Sequence, residues 1–144
     1  MTRRELFAPL LALSACAGPA EPRLEGWADG SYRPLAVTAY EVDGKRDGDV
    51  TRAVSTFTLE GGDRLRLELE VAYNPAPVLR AGRWSLDGAR PEAGEVAAES
   101  LTFLGGQAEG PSLGGRFRLD AAGGPRFRAV LPLRPVAEPR WQVQ

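Results

Sequence analysis

The sequence predicts an all-β domain, either a small antiparallel sandwich of the immunoglobulin-like kind or a barrel, with about seven strands. Residues Arg64–Tyr73 alternate apolar and polar side chains almost without exception. This alternation is typical of a strand with one buried face and one face in water. The chain has 17 Gly and 12 Pro among 144 residues, and Asp-Gly, Gly-Gly, Asn-Pro and Gly-Pro pairs separate its apolar segments. Such spacing favours short strands joined by turns.

Seven segments are predicted to form the strands. They are residues 35–42, 50–59, 64–73, 82–86, 96–104, 113–119 and 126–133. The Glu-Gly-Gly-Asp sequence at 60–63 predicts a tight hairpin between the second and third strands. Residues 92–100 are rich in Ala and Glu, so a helical turn is an alternative there. No repeat at a fixed period is present, and we expect one β domain over 34–134, followed by a Pro-rich tail over 135–144.

Residues 1–15 have the composition of a signal peptide. Two arginines precede an apolar run over 6–13, and the small residues Ser14 and Ala15 follow it. The run is too short for a transmembrane helix. We therefore expect this segment to be removed and not to belong to the folded domain.

The Leu-Ser-Ala-Cys sequence at 13–16 resembles the lipobox of bacterial lipoproteins. In that family the Cys thiol receives a diacylglyceryl group and the chain is cleaved just before it. The resemblance implies acylation of Cys16 with palmitate-like chains and a mature protein that begins there. Cys16 is the single cysteine, so an internal disulfide and a thiolate zinc cluster are excluded. An ordinary secretory signal followed by a chance cysteine is the alternative.

Residues 2–7, Thr-Arg-Arg-Glu-Leu-Phe, are similar to the twin-arginine export motif, which implies export of an already folded domain. Two arginines also supply the positive charge that signal peptides carry at their start. Both export routes therefore stay open.

Residues 16–33 contain many Gly and Pro and show no period, so we expect a tether that lifts the domain off the bilayer. Acyl chains, at about 0.8 kcal/mol per buried methylene, anchor a protein without help from its surface. Ala17, in place of Asp, follows the cysteine. For a lipoprotein this implies the outer membrane where the organism has two membranes, and otherwise the outer face of the cell membrane.

Charge and the missing histidine limit the classes of function. With 18 basic and 19 acidic side chains the formal net charge is −1, which argues against a nucleic-acid binder. The chain has no His, the commonest general base and metal ligand. We therefore expect no enzyme, no cofactor and no metal. Residues 110–114 match the G-x-S-x-G pattern of a nucleophile elbow, but Ser112 lacks a His and a following helix, so we expect a turn.

Asp43, Asp47 and Asp49 lie close together in a Gly-containing segment. An EF-hand loop that began at Asp43 would have Lys45 at its third position and Val54 at its twelfth, which fails the pattern. We expect a polar hairpin or loop. A weak calcium site and a carboxylate-dependent hydrolase are the alternatives.

Four arginines near the C-terminus form the candidate binding site. They are Arg116, Arg118, Arg126 and Arg128. Each pair flanks a phenylalanine, Phe117 or Phe127, so the guanidinium groups all point outward if both rings point into the core. Such a face suits an anionic ligand or an acidic envelope protein. The alternative, which we favour, is neutralisation by cross-strand ion pairs with the acidic segment 87–109.

The three tryptophans are most simply structural. We expect Trp84 in the core, with its indole N–H paired. Trp27 and Trp141 lie in the predicted tether and tail, where they would dock the two termini onto the domain. A glycan-binding platform of aromatic rings is the alternative.

Together these patterns predict a lipid-anchored envelope protein that acts as a non-enzymatic binding or assembly module. Its partners would be the membrane, through the lipid, and an envelope protein or anionic ligand, with no nucleic acid. A hydrolase and a ligand-free structural spacer are the alternatives.

Overall fold

The computed structural model describes residues 21–73, 75–104 and 111–136, and nine β-strands account for most of them. The strands are β1 Arg23–Ala28, β2 Ser31–Leu35, β3 Val37–Asp47, β4 Val50–Leu59, β5 Arg64–Tyr73, β6 Pro77–Asp87, β7 Glu92–Leu104, β8 Ser112–Ala121 and β9 Gly124–Pro135. They form one antiparallel sheet in the order β2-β1-β9-β8-β7-β6-β5-β4-β3, curled into a half-barrel. The prediction of an all-β antiparallel domain is confirmed. The described part contains no helix long and apolar enough to span a membrane.

The sheet extends further toward the N-terminus than predicted. Residues 23–33, expected in the tether, form β1 and part of β2, so the domain begins at Arg23 and not at residue 34. Asp29 and Gly30, with φ of 52° and 80°, provide the left-handed turn that a tight hairpin requires. Of the Gly and Pro residues that suggested a tether, Gly26 therefore lies in β1 and Gly30 in the hairpin turn.

The other strands follow the sequence pattern closely. Six of the seven predicted segments lie within β4 to β9, and β4 and β5 have the predicted bounds. The first segment, 35–42, begins two residues too early, because Leu35 ends β2 and β3 starts at Val37. The predicted hairpin at 60–63 is present, where the Leu59 N–H donates to the Asp63 carbonyl at 2.8 Å. The alternative of a helical turn at 92–100 is wrong, because those residues lie in β7 and pair with β8. Tertiary pairing overrides the helix preference of Ala and Glu.

One face of the sheet is buried and supplies the core. On β5 the inward side chains are all at most 2% exposed: Leu65, Leu67, Leu69 and Val71. The largest buried side chain, Trp84, contacts Phe127 edge to face, with the ring centroids 5.4 Å apart. Burying a side chain of this size contributes roughly 1.5–3 kcal/mol, so the core is the main source of stability.

The two ends of the half-barrel are distinct. We call the end where β3, β5, β7 and β9 finish the lower end, and we call the opposite end the upper end.

The first and last strands of the sheet order are connected directly along the chain. Only Ala36 lies between β2 and β3, although these two strands form the opposite edges of the sheet. Near the lower end, Val136 packs against Gly44 of β3, and its N–H donates to the Pro111 carbonyl at 2.8 Å. The side chain of Val136 therefore connects the end of β9 to the backbone of β3. The predicted tail, 135–144, begins too early, because Pro135 lies in β9 and Val136 is buried.

Candidate functional site

The four arginines of the candidate site lie on the outer face of β8 and β9. Phe117 and Phe127 are 0% and 1% exposed, so their neighbours in each strand point away from the core. Arg118 and Arg128 stand directly opposite each other in the β8–β9 pairing. Two like charges in this position repel, so the arrangement requires nearby carboxylates.

Arg126 is the most fully engaged of the four. Its Nε and Nη2 donate to Glu92 Oε1 and Oε2 at 2.9 and 3.1 Å, which makes a two-point ion pair between β9 and β7. Its Nη1 donates to the Trp27 carbonyl of β1 at 3.0 Å. The guanidinium carbon also lies 4.2 Å from the centroid of the Phe127 ring. This side chain therefore connects three strands at the upper end.

Arg128 and Arg118 each have a carboxylate of their own. Arg128 donates to both oxygens of Glu99, at 3.1 and 3.0 Å. Arg118 donates through Nε to both oxygens of Asp120, at 2.9 and 3.1 Å. The hydrogen bonds to these carboxylates, and then their charges, raise the pKa of both guanidinium groups. The repulsion between the two arginines is thereby offset.

A β-bulge places Glu99 where Arg128 can reach it. In the β7–β8 pairing, Ala98 stands opposite Phe117 and Ser100 opposite Arg116, so Glu99 is the extra residue. A bulged residue lies outside the regular alternation of the strand. Its carboxylate extends past β8 to the arginine on β9.

Arg116 differs from the other three. Its backbone N–H donates to Ser100 Oγ at 3.1 Å, and its side chain is exposed. Among the residues that the structure describes, no carboxylate forms an ion pair with its guanidinium. Arg126 and Arg128 thus form the cross-strand ion pairs with segment 87–109 that the alternative predicted, whereas Arg118 pairs with Asp120 of its own strand.

The three aspartates proposed for calcium or catalysis do not form a compact cluster. Asp43 and Asp47 lie on β3 and Asp49 lies in the turn before β4, all of them exposed. Two residues four apart on one strand face are about 13 Å apart, too far to bind one ion together. Within the described residues, no group of three acids is arranged to hold a metal.

Ser112 does not occupy a nucleophile elbow. It is the first residue of β8 and so lies in a strand, whereas an elbow serine lies in the turn before a helix. The neighbouring Pro111 carbonyl accepts the hydrogen bond from Val136. Gly110, the first residue of the pattern, lies outside the described residues.

Of the tryptophans, Trp84 lies where predicted. It is 1% exposed, and its indole N–H donates to the Asp120 carbonyl at 2.9 Å. Trp27 belongs to β1 and is 50% exposed, with its ring edge-on to Tyr32 at 5.5 Å. It therefore packs within its own hairpin and does not dock a tether. Trp141 and Cys16 lie outside the described residues.

The outer face of β4, β5 and β6 has a shallow depression of about 270 Å³ that the sequence pattern did not predict. Its charged lining includes Glu70, which forms ion pairs with two arginines. Glu70 Oε1 lies 3.6 Å from Arg52 Nε, and Glu70 Oε2 lies 3.5 Å from Arg80 Nη2. Glu70 stands opposite Arg52 only because of the β4–β5 register. The alternating charged residues of β5 were the only sign of these ion pairs in the sequence, but they do not show which strand pairs with β5 or in which register.

Comparisons of the chain with protein-family models, with curated proteins and with solved structures found no match.

Proposed function

We propose that this protein is a lipid-anchored envelope protein whose β domain is a non-enzymatic binding or assembly module. The observation that carries the proposal is the position of Cys16 in the chain. Cys16 directly follows a signal-like segment, and β1 begins only seven residues later, at Arg23. A lipid on this thiol would hold the folded domain at a membrane surface.

The distribution of side chains supports a role carried by the surface. The inward faces of the strands are almost entirely apolar, and the buried polar pair Thr51 and Ser55 is the exception. Several outward acids form ion pairs with arginines, including Glu70, Glu92 and Glu99. A domain built in this way presents its outer face and its strand ends to a partner.

The ion pairs already present on the arginine face limit which of its four side chains could bind a partner. Because Arg118, Arg126 and Arg128 already contact carboxylates, a competing anion would have to displace those contacts. Arg116 is the side chain best placed to add a new ion pair. An acidic envelope protein or an anionic ligand would therefore meet this face at Arg116, while the other three maintain the sheet.

The location follows from the anchor. A protein acylated at Cys16, followed by Ala17, would reside in the outer membrane of an organism with two membranes. In an organism with one membrane it would reside on the outer face of that membrane.

Substitution of the anchor residue tests the proposal. In the native host, the wild-type protein should incorporate labelled palmitate and sediment with membranes. Cys16→Ser should lose both properties, because a hydroxyl does not form the thioether. Ser14→Ala keeps a small residue before the cleavage point and serves as the matched control, with labelling unchanged. Equal membrane association of wild type and Cys16→Ser would refute the proposal.

A further inference from the structure

Exposed apolar side chains are concentrated at the lower end of the half-barrel. Among the described residues, five large hydrophobic side chains are at least 41% exposed. Four of them lie at the lower end: Tyr73, Val78, Leu104 and Leu133. The fifth, Trp27, lies near the upper end. Single exposed hydrophobics are ordinary on protein surfaces, but four at one end of a small domain are not.

These four side chains come from four different strands. Tyr73 and Leu104 are the last residues of β5 and β7, Val78 is the second of β6, and Leu133 is the third from the end of β9. The Tyr73 ring lies 5.9 Å from the ring of Phe103, which is buried. We call the four the apolar rim. Tyr73 thus lies against the edge of the core, whereas Val78 and Leu104 each follow or precede a core-facing residue and point to the outer face.

The first strand begins at its end nearer the apolar rim. β1 runs antiparallel to β9, and β9 runs toward the lower end, so β1 runs away from it. Arg23 is therefore the residue of β1 nearest the lower end. The Gly- and Pro-rich pattern predicted an 18-residue tether over 16–33, but the start of β1 leaves only residues 17–22 between Cys16 and the sheet.

This short connection restricts how far the domain can stand from its anchor. Seven residue steps from Cys16 to Arg23 span at most about 25 Å when fully extended. Arg23 pairs with Val130, and β9 continues five residues beyond it, about 17 Å along the strand. Even a fully extended connection could therefore place Cys16 at most about 8 Å beyond the lower end.

We propose that, when Cys16 is acylated, the apolar rim contacts the headgroup and upper acyl region of the lipid bilayer, so that the lower end faces the membrane. This inference rests on the proposed function, because the anchor brings the bilayer within reach. The side chains suit the site: Tyr favours the membrane interface, and Leu and Val favour the acyl region. Lys45, Arg46 and Arg134 lie within three residues of the strand ends there, beside Asp47 and Asp49.

Fluorescence quenching in vesicles tests this orientation. The native lipidated protein has its one cysteine blocked, so an introduced cysteine is the only free thiol to carry an environment-sensitive dye. Val78→Cys and Leu104→Cys place the dye on the rim. Gly123→Cys is the matched control at the upper end, where nothing lies within 4 Å of an added side chain. The vesicles contain phosphatidylcholine and phosphatidylglycerol, with a fraction of lipid that carries a doxyl quencher high on its acyl chain.

We expect roughly twofold quenching at both rim positions and almost none at Gly123→Cys, because interfacial side chains enter only about 5–10 Å into the bilayer. The labelled proteins must keep the melting temperature of the unlabelled one. Rim positions that are quenched no more than Gly123→Cys, in protein whose mass shows acylation, would overturn the membrane contact alone. Absence of acyl mass would overturn the contact and the proposed function together. Dye burial that depends on protein concentration without lipid would overturn the contact in favour of a second copy of this chain.

Discussion

The indole N–H of Trp84 on β6 donates a 2.9 Å hydrogen bond to the backbone carbonyl of Asp120 on β8. The bond passes across β7 at Gly94, which stands opposite Trp84 in the sheet. A Cβ atom at Gly94 would overlap the Asp120 carbonyl oxygen and lie 2.6 Å from the indole nitrogen. Three strands are therefore fastened at one point near the upper end, and the point requires glycine.

Gly94→Ala should destabilise the protein by about 3 kcal/mol, because the methyl group forces apart a close contact and breaks the buried hydrogen bond. Urea unfolding measures the change. Gly123→Ala is the control, since an added methyl group there meets no atom within 4 Å. Equal stabilities for the two variants would contradict the described packing.

The ion pair of Arg126 and Glu92 should show measurable coupling. The two side chains are 23% and 33% exposed and share two short hydrogen bonds, so we expect about 1 kcal/mol after screening by solvent. A double-mutant cycle with Arg126→Met and Glu92→Gln, followed by urea unfolding, isolates the coupling. Arg116→Met is the matched control and should be nearly neutral. If Arg116→Met lowers the free energy of unfolding as much as Arg126→Met does, the ion pair of Arg126 and Glu92 does not stabilise the sheet as described.

Alkaline pH should weaken the fold through Tyr40. Burial is the main cause that raises its pKa above the usual 10.0, and the Ser55 hydroxyl and Arg134 oppose the effect. Above about pH 10 the unfolded chain releases the phenolic proton while the folded protein keeps it. The contribution of the protonated Tyr40 to the free energy of unfolding is therefore complete below pH 10, and it is lost as the pH rises through the pKa of Tyr40 in the folded protein. Tyr40→Phe should flatten this loss in urea unfolding at a series of pH values; an unchanged slope would exclude Tyr40 as its source.

Val136→Ala should cost about 2 kcal/mol, because the side chain is 2% exposed and fills the space over Gly44. Leu133→Ala is the comparison, since that side chain, three residues earlier in β9, is 41% exposed. Thermal unfolding of both variants is sufficient. A larger loss of stability for Leu133→Ala than for Val136→Ala would contradict the packing of Val136 against Gly44 of β3.

Alternation and turn residues predicted much of the fold. In β4 and β5 the buried positions recur every second residue, which is why these bounds matched. Alternation shows that one face is buried but not what covers it, so it did not distinguish a sandwich from a curled sheet. The β1–β2 hairpin was missed because it is short and rich in Gly and Pro, and its pairing with β9 joins residues about a hundred positions apart.

The candidate site was only partly predictable. The outward direction of the arginines followed from Phe117 and Phe127, and an acidic neighbouring segment was expected. The individual partners depended on geometry that sequence does not display. Arg128 reaches Glu99 across β8 because of a single bulge, and Arg118 pairs with Asp120 on its own strand.

The intact mass of the protein, extracted from its native membranes in mild detergent that preserves complexes, tests the central claim most directly. We expect a chain that begins at Cys16, lacks residues 1–15 and carries added acyl mass. Any protein isolated with it would identify the partner class. A mature chain with an unmodified Cys16 thiol, or one cleaved at another position, would contradict lipid anchoring and leave the domain as a freely secreted protein.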